Sequence, residues 1–329
     1  MNQALADPAD KKGSALQWLR LFRWRNLAII LLTQWAVWQC VVVPFHEAGI
    51  LLLQGVLFWM LAVSTVLIAA AGYVINDYFD VRIDAINKPH ELVLGQYIPR
   101  RLAIISHLVL NAVGLLLAFA VAWRAGHPEW VLLQITCIAL LWFYSSTLKQ
   151  RFVWGNLAVG LLTALTIVVM LLYEPGLHHF TYQPAFLLQD GRHQPNPVYV
   201  LAAYAGFAFL LTWMREVVKD MEDFEGDHAE GCQTMPIRWG LKKSAIFVQI
   251  LGVLALLPLV FAGWKLLQKN EMSPLGWYIL VAVVLPLLWW VFSLNKKATT
   301  LHYHAYSRHL KFIMLAGIGS LFVYRLYYG

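Results

Sequence analysis

Two stretches of this 329-residue chain concentrate carboxylates at spacings that suit a hard cation. The first reads Asn76-Asp77-Tyr78-Phe79-Asp80-Val81-Arg82-Ile83-Asp84 and continues through Asn87-Lys88-Pro89. On a helix, Asn76, Asp80 and Asp84 recur at i, i+4 and i+8 and share one face. The second reads Arg215-Glu216-Val217-Val218-Lys219-Asp220-Met221-Glu222-Asp223-Phe224-Glu225-Gly226-Asp227. Here Glu216, Asp220, Asp223 and Asp227 step by four, three and four, again one face of a helix. With Glu91 and Glu230, the two segments hold 11 of the 18 Asp and Glu residues. Like charges at i, i+4 destabilise a helix by about 0.2–0.5 kcal/mol per pair, so each run calls for a cation to offset the repulsion. Oxygen donors alone suit Mg²⁺, Mn²⁺ or Ca²⁺ and not the metals that favour thiolates. Mg²⁺ takes one or two carboxylates and completes its shell with water and substrate phosphates. Two such faces brought together would hold two or more ions with a diphosphate between them. The plainer alternative is a pair of solvated loops with Arg82, Lys88 and Lys219 as surface partners. Against it, both runs follow an apolar stretch directly, and both precede an exit containing proline (Lys88-Pro89 and Met235-Pro236). The halves read as a loose repeat with Asn76 and Asp220 in equivalent places.

The elements that must position these residues are membrane spans. Apolar residues make up 60% of the chain and charged residues 13%, against about 45–50% and about 25% in soluble domains. The mean hydropathy is +0.60. A water-soluble fold of this length cannot bury that much apolar surface. Stretches able to cross a bilayer lie at about 27–44, 50–74, 102–122, 130–148, 155–173, 198–214, 244–264, 276–294 and 310–327. The first eight contain no Asp, Glu, Lys or Arg, and the ninth holds Lys311 and Arg325 near its ends, where basic side chains snorkel. Of 25 Lys and Arg residues, 20 fall on the side of the N-terminus and 5 on the other. By the positive-inside rule this gives an N-in, C-out orientation and a cytosolic position for both acidic runs. The formal charge of +7 thus reflects topology, and no nucleic-acid partner is expected. The polar opening lacks the pattern of a cleavable signal peptide, so the first span is expected to remain as an anchor. Cys40, Cys137 and Cys232 form no CxxC pair, which argues against a zinc site or a disulfide framework. The expected fold class is all-α, a polytopic bundle of nine transmembrane helices forming one domain over 1–329. Residues 1–25 form its cytosolic N-terminal segment, and 76–101 and 215–242 its cytosolic Asp-rich loops.

In these features the chain resembles the UbiA superfamily of intramembrane prenyltransferases. That family has nine transmembrane helices and two motifs, NDxxDxxxD and DxxxD, after helices 2 and 6. Asn76 to Asp84 matches the first motif at every fixed position and Asp223 to Asp227 matches the second. The resemblance implies Mg²⁺ ions, two in number and replaceable by Mn²⁺, held by Asn76, Asp80, Asp84, Asp220, Asp223 and Asp227, with Asp77 beside them. It implies a polyprenyl diphosphate donor whose departing diphosphate is stabilised by the metal, and a lipophilic acceptor that captures the allylic cation in a lipid-open cavity. A third segment, Tyr144-Ser145-Ser146-Thr147-Leu148-Lys149, resembles the family's Tyr-Ser-x-x-Leu-Lys. It implies diphosphate contacts from Lys149, Tyr144 and Arg151, helped by Arg215 and Lys219, with Asn156 facing the cavity. Arg23-Trp24-Arg25-Asn26 keeps the Arg and Asn of the family's Arg-x-Pro-Asn without its proline. After Asn87-Lys88-Pro89 the chain has His90-Glu91 where many members have Arg-Pro.

The second acidic run is most similar to the branch that adds a geranylgeranyl group to geranylgeranylglyceryl phosphate, making an ether lipid in the cytoplasmic membrane. Chlorophyll synthases share the Lys-Asp…Glu-Gly-Asp ending, so an aromatic or chlorophyllide acceptor is the alternative within the family. Outside it, the competing class is a cation transporter, which would need ionisable groups near the bilayer midplane. The first eight spans have none. His302, His304 and His309 form a weaker metal candidate, for which ordinary loop histidines are the expectation. Residues 174–196, with His178, His179 and His193, read as a partly ordered cover on the opposite face.

Overall fold

A computed structural model describes residues 15–44, 52–87, 92–178, 185–187, 193–269, 272–294 and 300–328. Its helices in chain order are α1 (Trp24–Val37, prolonged by a π turn over Trp38–Val42), α2 (Val56–Asn87), α3 (Arg100–Arg124), α4 (Leu132–Ser146) and α5 (Trp154–Leu172). They continue as α6 (Pro197–Glu222), α7 (Leu241–Lys269), α8 (Pro274–Ser293, with a π turn at Ile279–Val284) and α9 (Thr300–Tyr328). Among the described residues, nine segments are long and apolar enough to cross a membrane. Their outward faces carry large, exposed apolar side chains, among them Leu116, Trp123, Leu257, Phe292 and Leu326. That pattern is unfavourable in water and expected in lipid. Lys88, Pro89, His90 and Glu91 lie outside the described residues, as does His179.

The helices obey local rules at their ends. Asn196 caps α6 by accepting a hydrogen bond from the Val198 N–H, and Pro197 occupies the first turn, where its missing N–H costs nothing. Close packing of α2 on α3 rests on Gly114, where a Cβ would stand 2.9 Å from Ile68 Cγ1 and 3.2 Å from the Ser64 carbonyl oxygen. Small residues at such crossings let backbones approach without a hydrophobic driving force between helices. Ser64 Oγ uses that proximity to donate to the Gly114 carbonyl at 2.7 Å.

Two extended apolar cores result. One joins α1, α2, α5, α6 and the end of α9 around Phe58, Met170 and Tyr173; the other joins α6 to α9 around Met214 and Trp290. On the end away from the acidic runs, Glu174 is fully buried and accepts hydrogen bonds from the N–H groups of Leu52, Leu53 and Gly176. Burial raises its carboxyl pKa although those three donors favour the charged form. In the segment expected as a cover, a short helix at Pro175–His178 and an antiparallel pair, Ala185–Leu187 with His193–Pro195, are described.

The acidic runs differ from the expected loops. Residues 76–87 are the last turns of α2, and 215–222 are the last turns of α6. The apolar windows end at residues 74 and 214, but nothing in the residues that directly follow breaks a helix, so both helices continue beyond them. The second run is also not one straight helix. α6 stops at Glu222, Asp223 bends the chain, and a short helix runs over Phe224–Ala229. Carboxylates crowding the C-terminal end of a helix oppose its macrodipole, which favours the break there.

Candidate active site

The acidic end of α2 carries the first set of groups. Asn76 donates from Nδ2 to Asp80 Oδ2 at 2.7 Å, the i, i+4 contact that helical spacing demands. Its own Oδ1 is buried and has no hydrogen-bond partner. Asp80 is buried and also meets Lys149, which arrives on the turn between α4 and α5. Asp77 leaves that face and accepts from Arg23 at 2.7 Å. The Arg23 guanidinium in turn lies 5.1 Å from the Tyr73 ring centroid. Arg23 holds this position with φ of 52°, a left-handed conformation that a residue with a Cβ adopts only under constraint.

Opposite, α6 presents Glu216 between two cations, accepting from Arg215 at 2.8 Å and Lys219 at 3.4 Å. One turn on, Asp220 accepts from Asn156 Nδ2 at 2.8 Å. Asp223 caps α6, and Asp227 is buried on the short helix that follows. Burial first, and the neighbouring Asp223 charge second, push the Asp227 carboxyl up to about 6. Thr234 is 3.4 Å from one Asp227 oxygen, and burial raises the nearby Cys232 thiol to about 11, an inert state.

These walls enclose one cavity of about 1090 Å³. Asn76, Asp77, Asp80, Asp84, Tyr144, Lys149, Arg215, Lys219, Asp220, Asp223 and Asp227 all line it. Away from the carboxylates it is walled by Ile68, Leu133, Leu141, Leu162, Leu165 and Val169, so a polar mouth leads to an apolar interior. Asn156 is buried and reaches the cavity only through Asp220. Arg151 stands apart: it is exposed, in a two-residue parallel pairing with Gln233, and does not line the cavity. The expectation that Lys311 anchors in the headgroups is corrected by its position. It lines the cavity and donates to Asn26 Oδ1 at 2.6 Å, because α9 packs against α1 with that face turned inward. Arg20, Arg23, Arg25 and Lys311 are thus the cavity cations that sequence reasoning left unassigned. Of these only Lys311 lies within an apolar stretch, and its place near the end of that stretch also fits an interfacial anchor. The histidine candidate does not gather: His304 pairs with Glu222 at 2.9 Å, while His309 packs beside the Trp289 ring.

Whether this donor set fits a divalent cation can be judged from its chemistry. As the side chains stand, no three His, Cys, Asp or Glu groups among the described residues close around one point. Lys149 lies against Asp80 and takes part of the charge there. Yet the anionic ligands of the cavity mouth are all carboxylates, the nearby Cys232 thiol being held protonated, and the orphaned Asn76 Oδ1 is a buried acceptor lacking a positive partner. An unsatisfied buried acceptor costs about 1–3 kcal/mol, which a hard cation would recover. The residues fit such an ion.

Comparison with known proteins gives the family and the fold. Residues 26–322 match the model of the UbiA prenyltransferase family. Among curated relatives, the digeranylgeranylglyceryl phosphate synthase of Methanosphaera stadtmanae is 34% identical over 193 residues, covering 58% of this chain and 61% of the relative. That of Methanosarcina mazei is 33% identical over 214 residues, covering 65% and 62%. The chain therefore spans about three fifths of the length of the curated relatives it matches. Among solved structures, one of a digeranylgeranylglyceryl phosphate synthase superposes with a TM-score of 0.63 at 23% identity, covering 95% of this chain and 97% of the other. A UbiA homologue from Archaeoglobus fulgidus bound to GPP and Mg²⁺ gives 0.57 at 16% identity, covering 93% and 99%. At those identities the structures establish the fold, and the family follows from the match over 297 of 329 residues: this chain belongs to the UbiA prenyltransferase family.

Proposed function

We propose that this protein transfers a polyprenyl group, geranylgeranyl by preference, from its diphosphate to a lipophilic acceptor, and that the acceptor is geranylgeranylglyceryl phosphate, giving an ether lipid. The observation that carries the reading is the single cavity in which the acidic ends of α2 and α6 face each other above apolar walls. Asn76, Asp80, Asp84, Asp220, Asp223 and Asp227 would hold Mg²⁺, with two ions expected. When bound, Mg²⁺ supplies Lewis-acid neutralisation of the charge that builds on the departing diphosphate.

The chain's own groups do the remainder. Lys149 is placed to exchange Asp80 for a phosphate oxygen of the donor, an electrostatic contact that strengthens as the leaving group gains charge. Asn156 keeps the Asp220 carboxylate pointed into the cavity. The Tyr144 hydroxyl sits among Glu216, Asp80 and Asp220, where it can donate to the diphosphate. Ile68, Leu141 and Leu162 exclude water from the allylic cation and leave the prenyl chain an apolar channel. A transporter reading lacks a comparable basis, since the cavity's acids gather at one end of the helices and not along a path through them.

The names of the curated relatives support the acceptor, and the binding of GPP and Mg²⁺ by the Archaeoglobus homologue supports the donor class and the ion. The charge asymmetry of the loops supports the cytoplasmic membrane, with the site facing the cytosol. The test is a product assay with purified protein in detergent, Mg²⁺ and radiolabelled geranylgeranyl diphosphate, offered geranylgeranylglyceryl phosphate, 4-hydroxybenzoate or a chlorophyllide in parallel. Label in an acid-stable ether lipid is expected. Label in an aromatic or chlorophyll product would overturn the acceptor, and no Mg²⁺-dependent donor binding would overturn the enzyme.

A further inference from the structure

The cavity has a second polar region, on the side of α1 and α9, whose charge is opposite to that of the metal-binding faces. Lys311 projects into it from α9 and hydrogen-bonds the neutral Asn26 at 2.6 Å; among the described residues it meets no carboxylate. It lies within electrostatic reach of Arg215, Lys219 and Arg23, all of like sign, and of one carboxylate, Glu216. Those three cations share two carboxylates: Arg23 pairs with Asp77, and both Arg215 and Lys219 pair with Glu216. Lys311 is the member of this group that has no carboxylate at ion-pair distance among the described residues. A second, independent sign of a missing partner is the Nε of Arg215, a buried donor with no acceptor.

Like charges gathered in a half-buried site repel, and a group of opposite sign that joins them relieves the repulsion and keeps them charged. On the prenyl-transfer reading the donor's diphosphate is not that group, since it would sit on the cations held by the acidic faces and on Lys149, which lies against Asp80. A phosphate monoester carries about −1.5 to −2 charge near neutral pH and offers three acceptor oxygens. It is opposite in sign to this cluster, and can take hydrogen bonds from Lys311 Nζ and Arg215 Nε together.

We propose that Lys311 and Arg215 form a phosphate-monoester subsite that binds the head of the acceptor and makes the enzyme specific for a phosphorylated lipid alcohol. This rests on the prenyl-transfer reading above and adds the residues that choose the acceptor. The head would be held between α1, α6 and α9, with its alkyl chain along the apolar walls and its free hydroxyl toward the donor. Lys311 thereby becomes a specificity determinant that neither acidic motif contains.

The experiment compares kcat/KM for geranylgeranylglyceryl phosphate with that for the same alcohol lacking the phosphate, in wild type, Lys311→Gln and Lys311→Arg. Equilibrium dialysis of geranylgeranyl diphosphate with Mg²⁺ serves as the control for folding and for the donor site. In Lys311→Gln the preference for the phosphorylated acceptor should fall at least tenfold, through KM, with donor affinity within twofold of wild type; Lys311→Arg should keep most of the preference. An unchanged preference in Lys311→Gln would overturn the subsite while leaving prenyl transfer intact. A parallel loss of donor affinity would overturn it by assigning these cations to the diphosphate. A wild type that prenylates only an aromatic acceptor would overturn both the subsite and the acceptor reading beneath it.

Discussion

Asp80 and Asp227 are the buried carboxylates of the two motifs, one from each wall of the cavity, and their burial is what makes them sensitive to replacement. Asp80→Ala or Asp227→Ala should lower turnover on the order of 10²–10³-fold, as loss of transition-state charge stabilisation does, while membrane insertion stays normal. Wild-type turnover in either variant would contradict the site. The raised Asp227 carboxyl gives this a pH signature. Metal binding requires the deprotonated form, and in the metal-free protein that form declines as pH falls through about 6. The Mg²⁺ concentration for half-maximal activity should therefore rise as pH drops from 7 to 5.5; a flat profile would remove Asp227 from the metal set. At this scale the motif carboxylates were legible because helical spacing alone puts them on one face. Lys311 and Arg23 were not, because a basic residue near a span end, alone as Lys311 or in a run as Arg23, has the same sequence signature as an interfacial anchor. Only the packing of α9 against α1, and the left-handed turn at Arg23, turn these two inward.

Elements were legible in number and less so in extent. Hydropathy marks where a helix is in lipid, not where it ends, so the windows closing at 74 and 214 missed the extra turns that carry Asn76, Asp80, Glu216 and Asp220. Those turns matter functionally: a carboxylate on a continuing helix is far better positioned than one on a loop. The turn from α4 to α5 is held just as closely. A Cβ at Gly155 would stand 2.6 Å from Lys149 Cα and 3.0 Å from the Leu148 carbonyl oxygen, both backbone atoms that cannot swing aside. Gly155→Ala should push this turn outward and carry Lys149 off Asp80. The expected result is a loss of kcat of about tenfold or more, with an overpacking cost of about 1–3 kcal/mol. Purified Gly155→Ala protein with unaltered kcat would show that Lys149 does not depend on that contact.

For the whole molecule, the asymmetry of basic residues and the placement of both acidic ends at one end of the bundle make orientation a testable property. In a background lacking Cys40, Cys137 and Cys232, a membrane-impermeant maleimide applied to intact cells should label Met272→Cys and not Gln233→Cys; the reverse pattern would invert the topology. The fold was readable from composition and spacing because nine apolar windows leave few other ways to bury the backbone in lipid. That the acidic ends of α2 and α6 share one cavity was implied by the family resemblance and not by spacing, because spacing does not state which helices are neighbours. The most direct check of that pairing is the binding of radiolabelled geranylgeranyl diphosphate to wild type, Asp80→Asn, Asp227→Asn and the double variant, each with Mg²⁺ and with EDTA. If the two faces act as one metal-diphosphate site, binding vanishes in EDTA, each single variant loses most of it, and the double variant is no worse than the weaker single. Binding that survives EDTA, or losses that simply add, would contradict it.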